Sequence, residues 1–261
     1  MSLAACILAT PASAITGSSQ FFEKLDVATF GGSGIPNDPV AYSVFDYDGG
    51  ATQLTLALSA TQRFDNPPLT SDSATRSYTA TTGSNIKGTP PFDAEGALWN
   101  FNFYVSVVST LTGSDAPVIS DFDIRIDYEF DPAENSEFDS SFGELSLDGG
   151  LLDADIFFAN DGDPNTSPTA FATATVVQDS TNLLFGFLAD ETLTNYVVSS
   201  PSTPHAAFDP NATGQYSFRI REGSNNVVMN VNVVPVPMGL PLIVGAMGIA
   251  AAVSRRGRKA A

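Results

Sequence analysis

Asp121-Phe122-Asp123-Ile124-Arg125-Ile126-Asp127-Tyr128-Glu129-Phe130-Asp131 changes character at every residue. Phe122, Ile124, Ile126, Tyr128 and Phe130 fall on one side of an extended chain, and Asp121, Asp123, Arg125, Asp127, Glu129 and Asp131 on the other. A period of two marks a β-strand, because successive side chains leave a pleated backbone in opposite directions. The pattern predicts one buried face and one wet face, with Asp121 and Asp123 on the solvated side.

The same period recurs outward from this stretch. Trp99, Phe101, Phe103, Val105 and Val107 alternate with Asn100, Asn102, Tyr104, Ser106 and Val108; Leu54, Leu56 and Leu58 alternate with Thr55, Ala57 and Ser59; Val40, Tyr42 and Val44 share a face. Residues 171–177, 183–188, 216–221 and 227–233 continue it. Turn-forming clusters separate the runs: Asp48-Gly49-Gly50, Asn66-Pro67-Pro68, Asp148-Gly149-Gly150, Asn160-Asp161-Gly162-Asp163-Pro164 and Ser200-Pro201-Ser202-Thr203-Pro204. Near the start, Phe21 to Phe30 reads as a strand followed by a long turn at Gly31-Gly32-Ser33-Gly34 and Pro36-Asn37-Asp38-Pro39. Ten to twelve short strands are expected, with room for a helical turn only at 131–142 and 190–197. The fold class is all-β: an antiparallel β-sandwich, of which a jelly roll is one form. No repeat of fixed period suggests a solenoid or propeller.

Composition agrees with a packed body. Hydrophobic residues make up 43% of the 261 and aromatics 10%, which excludes a disordered chain. The net charge is −18, and the 29 acidic residues face only seven basic ones outside the C-terminal cluster, a net of −22. Such a surface repels phosphate backbones, so nucleic acid is not an expected partner. The single cysteine, Cys6, leaves the body without disulfides or thiol chemistry.

Both ends read as targeting segments. Residues 1–14 resemble the end of a secretory leader, with Ala12-Ser13-Ala14 as a small-x-small cleavage site and a mature start near Ile15. Leu3-Ala4-Ala5-Cys6 also fits a lipoprotein box by residue type. The β body is expected over 15–233, and 234–261 form a separate tail. In that tail Val234-Pro235-Val236-Pro237-Met238 precedes an apolar run, 239–253, closed by Arg255, Arg256, Arg258 and Lys259. An apolar run ending in a basic cluster is a membrane-stop pattern with its basic end on the cytoplasmic side. As a helix, 15 residues span only ~22 Å against a ~30 Å hydrocarbon core.

The tail, Val234-Pro235-Val236-Pro237-Met238-Gly239-Leu240-Pro241-Leu242 with its apolar run and basic end, resembles a PEP-CTERM sorting signal and most nearly its VPLPA-CTERM variant. Val236 stands where that family has Leu, and Met238 where it has Ala. The resemblance covers about a tenth of the chain. It implies retention in the inner membrane of a Gram-negative bacterium, processing by an exosortase near the Pro motif, and transfer to the cell surface or extracellular matrix, with exopolysaccharide as a neighbour. The alternative is an ordinary single-pass C-terminal anchor.

Chemistry within the body is sparse. Asp161, Asp163 and Asn165 form the best calcium-ligand spacing, although Thr166 and Ala172 break the EF-hand pattern where Gly and Glu would stand; no other cofactor is implied. One histidine, His205, and no Gly-x-Ser-x-Gly motif leave no catalytic constellation to name, and a carboxylate pair among 29 acids carries almost no signal. A secreted hydrolase is therefore the weakest reading. Carbohydrate binding is the stronger rival to a purely structural role. Its expected place is the Asn100/Asn102/Tyr104 face beside Trp99, with Trp99 itself expected in the core.

Overall fold

The computed structural model describes residues 19–32, 34–87, 94–132, 142–147, 173–184, 188, 196–198 and 208–236. These residues form β-strands with almost no helix. In chain order the strands are β1 (Phe21–Glu23), β2 (Val40–Tyr47), β3 (Thr52–Gln62), β4 (Thr70–Asp72), β5 (Ser77–Thr81), β6 (Ser84–Lys87) and β7 (Ala94–Ala97). They continue as β8 (Trp99–Ser109), β9 (Ile124–Glu129), β10 (Phe142–Ser146), β11 (Val176–Thr181), β12 (Tyr196–Val198), β13 (Gly214–Glu222) and β14 (Asn225–Val234). Sheet A has the order β1-β2-β3-β8-β11 and sheet B the order β12-β10-β9-β13-β14-β5-β4, while β6 and β7 make a separate ribbon. Fourteen strands among the described residues exceed the ten to twelve expected, because short pieces such as β1, β4 and β12 are too brief to show a period.

The architecture is β-sandwich-like, and one core lies between the two sheets. Sheet A contributes Leu54, Leu56, Leu58, Phe101, Phe103 and Val105; sheet B contributes Ile124, Ile126, Tyr128, Phe218, Ile220, Met229 and Val231, all at 0% exposure. Each such side chain contributes ~1.5–3 kcal/mol by leaving water. Aromatic rings bridge the layers: Phe101 packs 4.8 Å from Phe218 and 6.1 Å from Tyr128. Trp99 is a core residue as expected, at about 6 Å from Tyr216 and Phe218.

Three expectations need correction. Every described pairing is antiparallel except that of β5 with β14, which run parallel. Leu183 and Leu184 belong to a turn rather than to a strand over 183–188. Asn182 is the cause: its Oδ1 accepts from Ala97 N and Leu184 N, and its Nδ2 donates to Ala97 O and Trp99 O, so its side chain supplants the backbone ladder. Finally, the windows left for helical turns end in strands, since Phe142 opens β10 and Tyr196 opens β12; residues 133–141 and 190–195 lie outside the described set.

Sheet A is buried on its outer face as well. Val40 and Tyr42 do share a face, but it is this outer one; Ala41, Phe45 and Tyr47 face the core. The segment that follows β1 crosses the outer face as a strap, packing Leu25, Ala28, Phe30 and Ile35 against Val40, Ala57 and Tyr104. Gln178 pins it: its Oε1 accepts from Thr29 N at 2.9 Å and Phe30 N at 2.8 Å, and its Nε2 donates to Thr29 Oγ1 at 2.9 Å.

Candidate functional site

The Pro motif begins where the body ends. β14 is an interior strand of sheet B, held by β13 on one side and β5 on the other. Val227, Met229, Val231 and Val233 enter the core from it, and Val234 O still accepts from Thr82 N at 2.9 Å. The next residue, Pro235, has no N–H and cannot extend a ladder. Val234, Pro235 and Val236 are all exposed, so the first residues of the motif leave the sheet edge-on into solvent. Pro237, Met238, the apolar run 239–253, Arg255, Arg256, Arg258 and Lys259 lie outside the described residues, as do Ala12 and Ala14 of the leader. Among the described residues no helix is long and apolar enough to cross a membrane.

The calcium candidates Asp161, Asp163 and Asn165, and likewise His205, lie outside the described residues. Among those described, no group of three or more His, Cys, Asp or Glu side chains is placed to hold a metal ion. The face expected to bind sugar is not available. Asn102 is fully buried, its Nδ2 donating to Ser59 and Thr61, and Tyr104 packs under the strap. Only Asn100 of that set keeps partial exposure.

The expected wet face of β9 is likewise occupied. Asp121 and Asp123 are exposed as predicted, but the strand begins only at Ile124, and Asp127 and Glu129 are buried. Antiparallel registry sets Arg219 opposite Asp127 on one side and Glu144 opposite it on the other. Asp127 Oδ2 accepts from Arg219 Nε at 2.6 Å and from Arg221 Nε at 3.0 Å, whereas its Oδ1 has no hydrogen-bond partner. Glu144 joins Arg221 to Arg125, and Arg125 reaches Asp123 at 2.9 Å. The hydrogen bonds that Arg125 donates to Asp123 and then to Glu144 raise its pKa above the ordinary value. Three cations and three carboxylates thus share one patch and lock β9, β10 and β13 together. Its sequence signal was present in the two-residue spacing of Arg219 and Arg221 on β13.

Asp179, on β11, carries a carboxyl that sequence reasoning did not single out. Burial pushes it up to about 7, against the opposing hydrogen bonds from Ser180 N and Thr181 Oγ1. An unfolded aspartate has its ordinary value near ~4. Between about pH 4 and pH 7 the folded chain therefore binds this proton and the unfolded chain does not, so this contribution to stability falls as pH rises through that window. Thermal melts across it should show a decline that Asp179→Asn flattens; an identical slope in both proteins would contradict the assignment.

No family model matches the chain, and comparison with curated proteins and with solved structures finds no match either.

Proposed function

We propose that this chain is an exported, non-enzymatic protein of the cell surface or extracellular matrix, held by a C-terminal sorting signal that an exosortase processes. In this reading the leader over 1–14 delivers the chain through the secretion machinery. The 239–253 helix and the basic cluster 255–259 hold it transiently in the inner membrane of a Gram-negative bacterium. The acidic body keeps the released protein soluble beside exopolysaccharide, with calcium at 161–165 as its one candidate ligand.

The observation that carries the proposal is the junction at Val234. A folded, hydrogen-bonded strand gives way, within one residue, to an exposed proline-containing segment. A processing enzyme needs an extended, unpaired substrate, and Pro235 has no N–H with which to continue the ladder. Residues 230–233 are paired on both sides, by β13 and β5, and Val234 is still paired with β5.

Mass spectrometry of protein recovered from the native cell surface and medium tests this. The expected C-terminus falls between Val234 and Met238. Recovery of an intact Arg255–Ala261 end, in the membrane fraction only, would replace sorting with a plain anchor.

A further inference from the structure

The strap and the chain leaving β3 face each other across a cleft of about 570 Å³, lined on one side by Phe30, Gly34, Ile35 and Pro36 and on the other by residues 61–64. Lys87, Asn100, Asp179 and Ser180 complete its lining. That volume lies within the range of small-ligand sites. A second cavity of about 120 Å³ shares Pro36, Thr61 and Gln62 with it and continues toward Pro39, Leu69 and Tyr78. Together they form an elongated groove.

Both walls are fixed before any ligand arrives. The strap is held by Gln178, as described above. On the opposite side Arg63 donates to Asn85 O at 3.0 Å and to Lys87 O at 3.0 Å, and Asn85 Nδ2 donates to Asn66 Oδ1 at 2.6 Å. Asn66 in turn donates to Arg63 O at 2.5 Å, closing the turn that carries Phe64. Pre-formed walls reduce the ordering cost of binding.

Phe64 is the informative residue. Its side chain is large and apolar, yet it is 56% exposed, at the lip of this groove. Its φ is +54°, a left-handed conformation that costs a non-glycine residue free energy. Of the four non-glycine residues with positive φ among those described, Phe30 and Phe64 both line this cleft. Glycine or asparagine would fit the backbone better, and a polar residue would fit the exposure better. The Arg63 guanidinium lies over the ring, 5.0 Å from its centroid, and at 56% exposure the ring still presents apolar surface on which a ligand could stack.

We infer that this groove binds a neutral oligosaccharide, with Phe64 stacking on the apolar face of a sugar ring. Amides at Gln62 and Asn100, the Ser180 hydroxyl and the Asp179 carboxyl offer the mixed donors and acceptors that hydroxyl groups need. A strongly anionic chain would meet a body of net charge −22, and both cations of the lining are engaged within the chain: Lys87 pairs with Asp65, and the buried Arg63 donates to the Asn85 and Lys87 carbonyls. The elongated shape suits several linked rings rather than one. The groove takes in Asn100 from the face expected to bind sugar, whereas Asn102 and Tyr104 of that face are buried, and it does not depend on how the chain is anchored.

The test is calorimetric titration of the purified full chain, in a detergent without a sugar headgroup, with neutral hexasaccharides of glucose, mannose and galactose and with a hexauronate as the charged comparator. Saturable binding of a neutral hexasaccharide is expected, insensitive to salt. Phe64→Gly should weaken it about tenfold, equivalent to ~1.4 kcal/mol of lost stacking, while the melting temperature stays unchanged or rises. The inference is overturned by no binding to any neutral probe, by equal binding to wild type and Phe64→Gly, or by salt-sensitive binding of the hexauronate alone.

Discussion

Asp127→Ala is expected to destabilise the body by about 3 kcal/mol, the low end of the 3–5 kcal/mol range for breaking a buried ion pair. Asp127 is 0% exposed and its Oδ2 serves two guanidinium groups, so its removal takes a buried carboxylate from both Arg219 and Arg221, although Arg221 keeps Glu144. The low end applies because each arginine side chain keeps a little more than a quarter of its exposure and can recover some hydration. For a domain of this size the loss corresponds to a fall in melting temperature of roughly 6–12 °C. The charge balance makes the experiment decisive. Asp127→Leu combined with Arg219→Leu leaves Arg125 and Arg221 against Asp123 and Glu144, still matched, and should recover most of the lost stability. If Asp127→Ala alone shifts the urea midpoint by less than one fifth of the expected amount, the patch is not the lock described above.

Gly143→Ala should cost ~2–4 kcal/mol, against the ordinary direction of a strand glycine replaced by alanine. Gly143 lies opposite Tyr128 in the β9–β10 ladder. A Cβ there would stand 2.2 Å from Tyr128 Cε2 and 2.3 Å from Cζ, so the ring already occupies the space. The ring has nowhere to retreat. It is fully buried, stacks on Phe101, meets Phe130 edge-on at 5.3 Å, and donates its hydroxyl to Leu188 O at 3.1 Å. Displacing it breaks that hydrogen bond and overpacks the core together. In a Tyr128→Leu background the same Gly143→Ala change should be close to neutral. A double-mutant cycle in denaturant measures the coupling, and additivity of the two changes would refute the close approach.

These two positions mark where sequence reading stops. Alternation identified the strands and their core faces: Leu54, Leu56, Leu58 and the Trp99–Val107 series point inward as their spacing requires. Alternation says which residues share a side, but not what covers that side. Tyr104 is buried by a strap whose anchor, Gln178, lies 149 residues from Thr29, and Asn102 is buried with its amide bonded to Ser59 and Thr61 of the neighbouring strand. Asp127 is buried by partners more than 90 residues away. The Val234 junction was legible because Pro235 ends a strand through its own covalent chemistry. The groove was not, because its walls come from the strap, the end of β3 and β11, which only the fold brings together.

The position of β14 bears on the order of events during biosynthesis. The last strand made is not an edge strand but the one that joins β5 to β13. Asn230 pairs with Ser77, about 150 residues earlier in sequence. Until the final ten residues of the body leave the ribosome, β4 and β5 have no sheet to join, and half the core lacks Val227, Met229, Val231 and Val233. Long-range pairing of this kind is also intrinsically slow. A nascent chain therefore cannot complete sheet B until β14 has been made. The two halves of that sheet, β12-β10-β9-β13 and β5-β4, are joined only when this strand takes its place between them.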